Sequence, residues 1–316
     1  MNGKVAILGA GGFLGTNLVR ALAGEVGELR CFGRPPAFPE ALRDVNWTDG
    51  ELEGDRVREL VSGCDTVVHL ISSSTPANAD KSIASDAQSN VITTLKLVDQ
   101  CVELGVRRFV FISSGGTVYG IPTQVPTPED APTNPITAYG VAKLAIEKYL
   151  AVYQRQRGLD YRVLRVANPF GPYQTARKGQ GIIAAAMAAV FHGTPLEIWG
   201  DGRVVRDYVF VADVVQAIIK AIRHEGPSRV FNIGSGRGHD LLQVVQTIEI
   251  LAGKSLRTRF RPARPADVPV SILDTSLAAT ELDWHATTSF EEGLAMTIDW
   301  TRGFQPGGGQ TLGGHL

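Results

Sequence analysis

Two residues four positions apart, Tyr139 and Lys143, have the types and spacing of a proton-transfer pair. On an α-helix, positions i and i+4 share a face, so the phenol and the ammonium would project into one site. A phenol titrates near pH 10 and needs a pKa shift of roughly 3 units to act as a base at neutral pH. A cation about 4 Å away would supply most of that shift at an effective dielectric of 20, and a second cation in the site would supply the rest. We therefore predict that Tyr139 is a general base whose pKa Lys143 lowers.

A glycine-rich turn near the N-terminus has the pattern of a phosphate-binding loop. Lys4–Leu8 is a short apolar run that predicts a buried strand, Gly9–Gly15 follows at once, and Thr16–Leu22 has helical spacing. In this context the glycines permit a sharp turn, a close backbone approach to a pyrophosphate and close packing of helix on strand. The start of the helix adds free N–H groups and a partial positive charge. The predicted cofactor-binding residues of this turn are Gly9, Gly12, Phe13, Leu14 and Gly15.

Composition and charge exclude several functional classes. The chain has 316 residues, enough for one large or two medium domains, and its hydrophobic fraction of 44% is typical of a globular protein. Its 31 Lys and Arg against 32 Asp and Glu give a formal charge of −1, so no net positive charge favours nucleic acid. The sequence has no run of 18 apolar residues, and we therefore expect no membrane partner.

The ends of the chain and its three cysteines bear on location. Met1 precedes a predicted strand by only three residues, which leaves no room for a signal peptide, and the scattered Cys31, Cys64 and Cys101 favour reduced thiols over a disulfide framework or a metal site. We expect a cytoplasmic protein without a structural metal. Residues 306–316 are predicted to be a flexible tail.

Strands and helices alternate through the first half of the chain. Strands are predicted over Leu29–Phe32, Thr66–Ile71, Arg108–Ile112 and Tyr161–Val166, and a long helix over Ile83–Leu104. This alternation predicts an α/β fold with a parallel, doubly wound sheet, in which ligands bind beyond the carboxyl ends of the strands. The loops at those ends, together with the glycine turn, should therefore form one crevice.

Several motifs in fixed order carry a resemblance to a known family. The chain resembles the extended short-chain dehydrogenase/reductases that act as nucleotide-sugar epimerases and dehydratases, most closely the UDP-glucose 4-epimerases and their relatives in polysaccharide pathways. The similarity extends to about Leu294. The matching segments are Gly9–Gly15, Ser113–Gly120, Tyr139–Lys143, Arg165–Gly171, Trp199–Gly202, Arg206–Asp213 and Phe231–Gly236.

This resemblance implies a domain organisation and a partner. It implies a Rossmann-like dinucleotide-binding domain over residues 1–170, with further elements returning from about 204–236. A smaller C-terminal α+β domain over 171–305 would bind the nucleotide-sugar substrate. It also implies a homodimer in which Ile83–Leu104 and the Tyr139 helix pack as a four-helix bundle.

The resemblance also implies the reaction. Tyr139 would take a proton from a sugar hydroxyl while the ring carbon gives hydride to NAD, and Lys143 would bind the nicotinamide ribose. A transient 4-keto sugar that receives the hydride on its other face becomes the epimer, so no second substrate is needed. We expect a UDP-hexose 4-epimerase.

The third catalytic hydroxyl departs from the family pattern. The family has Ser or Thr four residues before Tyr119, where this chain has Gly115. Thr117 is our first choice for the hydroxyl that bonds the substrate oxygen, because positions i and i+2 of an extended chain share a face, and Ser114 is the second. The alternative is that both hydroxyls only bond backbone groups at the strand end. The dehydratases of the family carry Asp-Glu where this chain has Gly116-Thr117, so dehydration is disfavoured.

The residues at the adenosine end of the predicted cofactor site are compatible with either NAD or NADP. Gly33 stands where an acidic residue would bond the ribose 2′-OH of NAD, and Arg34 can pair with the 2′-phosphate of NADP or stack over adenine. The resemblance favours NAD. It also places Glu51 at the adenine amine and Asn90 near the nicotinamide, where a helix-packing role is the alternative. By their positions at strand ends, Leu70 and Ser113 complete the predicted cofactor site.

The predicted diphosphate site consists of an amide and two guanidinium groups. Asn168, Arg206 and Arg264 match the phosphate-binding residues of the family, and Arg has the forked donor geometry that phosphate oxygens favour. Asp267 is expected to orient Arg264. The loop-tying residues are predicted to be Asp207 and Asp213, and Asp240 is predicted to cap a helix.

Two other functions remain compatible with these residues. An NADPH-dependent ketosugar reductase or sugar dehydrogenase would share the catalytic set but would have to exchange its cofactor. A non-catalytic NAD(P)-binding protein is the alternative outside enzymes, and the presence of both Tyr139 and Lys143 argues against it.

Overall fold

The computed structural model describes residues 3–50, 52, 55–76, 78–176, 181–264 and 267–303. Glu51 and the predicted tail over 306–316 lie outside these ranges. The described strands are β1 (Lys4–Leu8), β2 (Glu28–Phe32), β3 (Asn46–Thr48), β4 (Thr66–His69), β5 (Arg108–Ser114), β6 (Asp160–Val166), β7 (Asn168–Phe170), β8 (Leu196–Trp199), β9 (Val205–Phe210), β10 (Val230–Ile233), β11 (Gly238–Asp240), β12 (Thr258–Arg261) and β13 (Val270–Ser271).

Helices alternate with these strands as the sequence predicts. The described α-helices are α1 (Phe13–Leu22), α2 (Asp55–Val61), α3 (Ile83–Asp86), α4 (Thr93–Glu103), α5 (Ala138–Arg157), α6 (Ile182–His192), α7 (Val211–Arg223), α8 (Leu241–Ala252), α9 (Ser276–Glu281) and α10 (Phe290–Gly303). None of the helices in the described ranges is long and apolar enough to cross a membrane.

A seven-stranded parallel sheet forms the larger part of the molecule and confirms the predicted fold class. Its strand order is β10-β6-β5-β4-β1-β2-β3. The chain leaves β1 toward β2 and β3, then returns to β4 on the other side of β1, so the direction of winding reverses between β1 and β4. A crevice opens at such a reversal, beyond the carboxyl ends of the strands.

Helices cover both faces of this sheet and bury two apolar cores. The strands are apolar on both faces, as expected for a parallel sheet. Helices α1 and α7 pack with Trp284 on one face, and α2, α4 and α5 pack on the other. The strands and helices that border the crevice are therefore fixed by the two apolar cores.

The remaining strands in the described ranges form two smaller sheets. Strands β11, β9 and β13 form a sheet to which β7 adds by pairing with β9, and β8 pairs with β12. Helices α6, α8 and α10 share a further apolar core with these strands. The stretch 204–236 was predicted to return to the first domain. In this stretch, β10 pairs in the large sheet and α7 packs on it, whereas β9 belongs to the smaller sheet with β11 and β13. The domain boundaries remain predictions.

Two elements differ from the sequence prediction. Strand β3 was not predicted, because its three residues are too short for a periodic pattern. The predicted helix over Ile83–Leu104 is α3 and α4 joined by a π-helical turn over Ala87–Ile92. Such turns occur frequently at functional sites, and this one follows Asp86 directly.

Candidate active site

Helix α5 presents Tyr139 and Lys143 at the carboxyl edge of the large sheet. The Thr137 hydroxyl caps the helix by accepting from Gly140 N at 3.1 Å, and Asp80 Oδ1 accepts from Ala138 N at 2.7 Å. Gly140 is required for space, because a Cβ there would lie 2.8 Å from the Thr117 carbonyl oxygen. The cap and the close approach fix where the first turn of α5 meets the loop after β5.

Lys143 is buried and anchored to the sheet. Its Nζ donates to Ile112 O at 2.9 Å and lies 4.7 Å from the Phe111 ring centroid and 5.7 Å from that of Tyr139. Burial lowers the pKa of Lys143 to about 8, against the opposing charges of Glu147 and Asp86. The Ile112 carbonyl and the Phe111 ring thus hold the ammonium in one position.

The pKa of Tyr139 moves against our prediction. Burial, together with the charge of Asp86, raises the pKa of Tyr139 to about 12. The expectation that Lys143 lowers this pKa is wrong for the protein by itself, because desolvation of the phenolate is the larger effect. A further positive charge beside the phenol is needed for Tyr139 to act as a base near neutral pH.

Tyr139 and Lys143 share a small cavity with the loop after β4. The cavity is lined by Ile71, Ser72, Ser74, Asn90, Tyr139 and Lys143, among others. The Asn90 amide is fully engaged: Oδ1 accepts from Ser73 N at 2.9 Å, and Nδ2 donates to Ser74 Oγ at 3.1 Å and Asp86 Oδ1 at 2.9 Å. Asn90 therefore reaches the cavity but uses its side chain to hold the loop.

The Thr117 hydroxyl is the polar group that this arrangement leaves unused. Thr117 Oγ1 is buried and has no hydrogen-bond partner among the described residues. A buried hydroxyl without a partner is costly, so it is expected to bond a ligand. Ser114, the second choice, contributes its carbonyl oxygen to Thr117 N at 3.2 Å.

Leu273 explains why residue 115 is glycine. A Cβ at Gly115 would lie 2.4 Å from Leu273 Cδ1 and 3.0 Å from the Arg165 carbonyl oxygen. The segment after β13 thus fills the space that a serine side chain would need. This distance could not be found from the sequence, because residues 115 and 273 are far apart in the chain.

The glycine turn has the geometry of a pyrophosphate cradle. Gly9 has a φ of +94°, and a Cβ at Gly15 would lie 2.1 Å from Gly9 O, so both positions require glycine. Gly12 is the N-cap of α1, where a Cβ would meet Gly9 O at 3.3 Å and would stand between the helix start and a bound phosphate. The Phe13 and Leu14 side chains pack against the apolar core that α6, α8 and α10 share with the smaller sheets. Only their backbone N–H groups are therefore free to bind a ligand. These residues fit a dinucleotide.

The remaining predicted cofactor residues have mixed outcomes. Leu70 follows β4, and a Cβ on Gly9 would lie 3.2 Å from its carbonyl carbon, so the two segments adjoin. Arg34 is exposed at the end of β2. The Ser113 hydroxyl donates to buried Glu147, so that side chain is already engaged, and a cofactor contact of Ser113 stays a prediction.

A buried polar network ties α5 to the sheet beneath the crevice. Arg165 donates to both Glu147 oxygens, with Nη2 to Oε2 at 2.7 Å, and to Tyr119 Oη at 2.8 Å. Tyr119 Oη in turn donates to Asn232 Oδ1 at 2.7 Å. Strands β5, β6 and β10 are thereby linked to the helix that carries Tyr139, and the motif residue Tyr119 has a positioning role.

Asn168 and Arg206 lie on β7 and β9, neighbouring strands of one of the smaller sheets. Asn168 Nδ2 donates to Asp207 O at 3.1 Å, and Arg206 Nη1 donates to Val268 O at 2.6 Å. The Asp267 carboxylate lies 3.9 Å from Arg206, and the Asp267 N–H donates to the Arg264 carbonyl oxygen at 3.1 Å, so its role toward the Arg264 side chain stays a prediction. Burial lowers the pKa of Arg206 against the opposing charge of Asp267. An anionic ligand would relieve that cost.

Arg264 lies on an aromatic ring that the sequence analysis did not select. Its guanidinium carbon is 4.3 Å from the Trp199 ring centroid. The buried Tyr208 hydroxyl, also not selected, has no hydrogen-bond partner among the described residues. Both residues lie in motifs that were noted, Trp199–Gly202 and Arg206–Asp213, but their roles depend on contacts between distant segments.

Three aspartates have the structural roles predicted for them. Asp207 accepts from Ser235 N at 2.7 Å, and Asp213 accepts from Thr287 Oγ1 at 2.8 Å, so each ties loops together. Asp240 caps α8 by accepting from Gln243 N at 2.7 Å. None of the three is needed to explain the crevice.

The chain is similar to known nucleotide-sugar enzymes along nearly its whole length. Residues 5–234 match the family described as the NAD dependent epimerase/dehydratase family. A UDP-glucose 4-epimerase of Mycolicibacterium smegmatis is 32% identical, over 95% of this chain and 98% of that protein. A dTDP-4-dehydro-6-deoxyglucose reductase of Escherichia coli is 31% identical, over 93% of this chain and 96% of that protein. The crystal structure of Thermotoga maritima UDP-glucose 4-epimerase with UDP-glucose has a TM-score of 0.90 at 34% identity, covering 95% of this chain and 99% of that one.

Proposed function

The chain belongs to the NAD dependent epimerase/dehydratase family, and from that premise we propose that it is a nucleotide-sugar epimerase of the UDP-hexose 4-epimerase type. The observation that carries the proposal is the crevice in which Tyr139 and Lys143 share a cavity beside the glycine turn. The similar UDP-glucose 4-epimerases support the substrate class.

The catalytic step is a proton transfer at Tyr139 Oη. The phenolate oxygen accepts the proton of the sugar 4-hydroxyl as the ring carbon loses hydride, and it returns that proton when the 4-keto sugar is reduced on its other face. Bound NAD supplies the hydride acceptor and then the donor. Thr117 Oγ1 donates to the reacting sugar oxygen, with Ser114 as the second candidate.

The cofactor is held by backbone at one end and by Lys143 at the other. The N–H groups of Phe13, Leu14 and Gly15, at the start of α1, would hold the pyrophosphate, because the helix dipole favours negative charge there. Lys143 Nζ binds the nicotinamide ribose. The charge of the oxidised ring adds to that of Lys143 and lowers the pKa of Tyr139 from the value that burial imposes.

The nucleoside diphosphate lies across the smaller domain's sheet. Arg206, Arg264 and Asn168 bind the phosphate oxygens, as the resemblance implies. Two residues found in the structure extend this set. The Tyr208 hydroxyl, unpaired among the described residues, donates to the substrate, and the Trp199 face, already stacked with Arg264, flanks it.

A ketosugar reductase is the second candidate, because the dTDP-4-dehydro-6-deoxyglucose reductase is nearly as similar as the epimerase. The two functions differ in cofactor handling. An epimerase regenerates its NAD in each cycle and retains it, whereas a reductase consumes a reduced cofactor and must release it.

Cofactor release and product analysis test the proposal. Denatured protein should release NAD in stoichiometric amount, and the native protein should interconvert UDP-glucose and UDP-galactose, or the N-acetyl or uronate pairs, without added cofactor. Conversion that depends on added NADPH would replace the epimerase by the reductase.

Substitution of Tyr139 tests the mechanism. Tyr139→Phe should reduce epimerisation by at least about 1,000-fold, since the proton acceptor is lost, while cofactor content stays unchanged. Tyr149→Phe is the matched control, because Tyr149 lies exposed on the same helix. Full turnover by Tyr139→Phe would refute the assignment of the base.

A further inference from the structure

Asp86 is a buried carboxylate at the crevice to which the proposed mechanism assigns no step. It is the last residue of α3 and is 4% exposed. Asp86 Oδ1 accepts from Asn90 Nδ2 at 2.9 Å. No ion pair engages its carboxylate among the residues that the structure describes. Buried carboxylates are normally paired, so an unpaired one at a site implies a role for its charge.

The local structure directs Asp86 toward the catalytic pair. Helix α3 packs on α5, and the π-helical turn over Ala87–Ile92 starts at the next residue. Asn90, which Asp86 holds, lines the same cavity as Tyr139 and Lys143. Asp86 is thus separated from the reacting groups by one hydrogen-bonded side chain.

The charged and titratable groups around this position include Asp80 and Lys81, which lie on a turn that packs against α3 and α5. Glu147 faces Lys143 from the same helix. His69, at the end of β4, is neutral, because burial and the charge of Lys143 lower its pKa to about 3. Asp86 acts on both catalytic groups, since its charge contributes to raising the pKa of Tyr139 and opposes the lowering of that of Lys143.

We propose that Asp86 is a positioning residue of the hydride-transfer step, whose charge favours the oxidised, positively charged nicotinamide over the neutral reduced form and keeps Lys143 protonated. This inference rests on the proposed function. The physical reason is that a negative charge in a poorly solvated site stabilises a nearby cation but not a neutral ring. An epimerase that must start each cycle with NAD benefits, since its resting cofactor stays oxidised.

Asp86→Asn removes the charge and keeps the shape. The amide oxygen can still accept from Asn90, so a merely structural role would survive the change. Each protein is incubated with equal, excess concentrations of NAD and NADH until the ratio of bound nucleotides is constant, so that slow release of retained cofactor is complete. Free nucleotide is then removed and the bound ratio is measured. We expect the ratio of bound NADH to NAD to rise about tenfold, because the charge that favours the oxidised ring is lost. Asp86→Glu should restore the wild-type ratio.

The pH profile supplies a second readout. Loss of the anion lowers the pKa of Tyr139 and of Lys143 together, so both limbs of the kcat profile should move to lower pH, by about one unit. Asp99→Asn, on α4, is the matched control. Binding of NAD by the wild type with an unchanged ratio and profile in Asp86→Asn would overturn this inference alone. Failure of the wild type to bind either nucleotide would overturn the proposed function as well.

Discussion

At the scale of single residues, the crevice holds Tyr139, the proposed general base, in its neutral form. Burial and Asp86 raise the pKa of Tyr139 to about 12, and Lys143 titrates near pH 8. Activation of Tyr139 therefore depends on positive charge that arrives with a ligand. We expect the base to be competent only when oxidised cofactor is bound, which would keep the phenolate from forming in the free protein.

The Thr117 hydroxyl gives a prediction at the same scale. Thr117→Val should lower kcat by about 100-fold, the usual loss when one preorganised donor to the reacting oxygen is removed. The free energy of unfolding should change by less than about 1 kcal/mol, because the hydroxyl has no partner among the described residues. Steady-state kinetics and urea unfolding measure the two effects.

Thr247→Val, on α8, is the control for this change, since its hydroxyl forms an exposed bond to Gln243 O. Unchanged kcat in Thr117→Val would move the role to Ser114. A large loss of stability would show instead that Thr117 supports the fold.

At the scale of elements, the two ends of the large sheet are held in different ways. The carboxyl end is tied by the Glu147–Arg165 network. At the opposite end, Asp160 on β6 joins the buried Arg108 on β5 at 2.7 Å and the buried Arg162. Asp160 thus contacts two guanidinium groups that are almost fully desolvated, and losing one partner at such a site is costly. Arg229 lies 3.4 Å from the same carboxylate, and Glu225 is a second partner of Arg108. These central strands position α5, so we expect their pairing to depend on Asp160.

Asp160→Asn should destabilise the protein by about 3 kcal/mol at neutral pH, as for a broken buried pair. Burial would raise the pKa of Asp160, but Arg162 and Arg108 hold it below its usual value. A lowered folded-state pKa contributes stability above the unfolded pKa of about 4, and that stability is lost as pH falls through the folded value. The difference between wild type and variant should therefore shrink below about pH 4.

Urea unfolding at neutral and acidic pH measures this difference. Asp299→Asn provides the comparison, because its side chain is mostly exposed and pairs only at the surface with Arg302. Equal stability of Asp160→Asn and wild type would contradict the claim that the pairing of Asp160 with Arg108 and Arg162 stabilises the fold.

At the scale of the whole molecule, the exposed face of α5 supports the proposed homodimer. Val141 and Val152 are 53% and 45% exposed, and both lie on the face of the helix that also carries Tyr149. Ile83, just before the π-helical turn, is exposed as well. An apolar strip on two adjacent helices is what a four-helix interface between two copies needs.

Glutamates on this face should separate the copies. We expect the wild type to be dimeric and Val141→Glu/Val152→Glu to be monomeric in multi-angle light scattering, because two buried charges per chain oppose association. Ile250→Glu is the control: Ile250 is also an exposed apolar residue but lies on α8, away from this face. A monomeric wild type would refute the dimer.

The sequence by itself determined the architecture and the main chemical groups. The alternation of apolar strands and helices, the glycine turn and the Tyr139–Lys143 spacing are local patterns, and local backbone geometry fixes what they form. Only the tertiary structure decided that Leu273 excludes a side chain at residue 115, that Asp86 is bonded through Asn90 to the cavity of Tyr139 and Lys143, and that Arg264 meets Trp199. Each of these depends on packing between distant segments. The pKa of Tyr139 was predicted in the wrong direction for the same reason, since burial is a property of the folded molecule and not of a spacing.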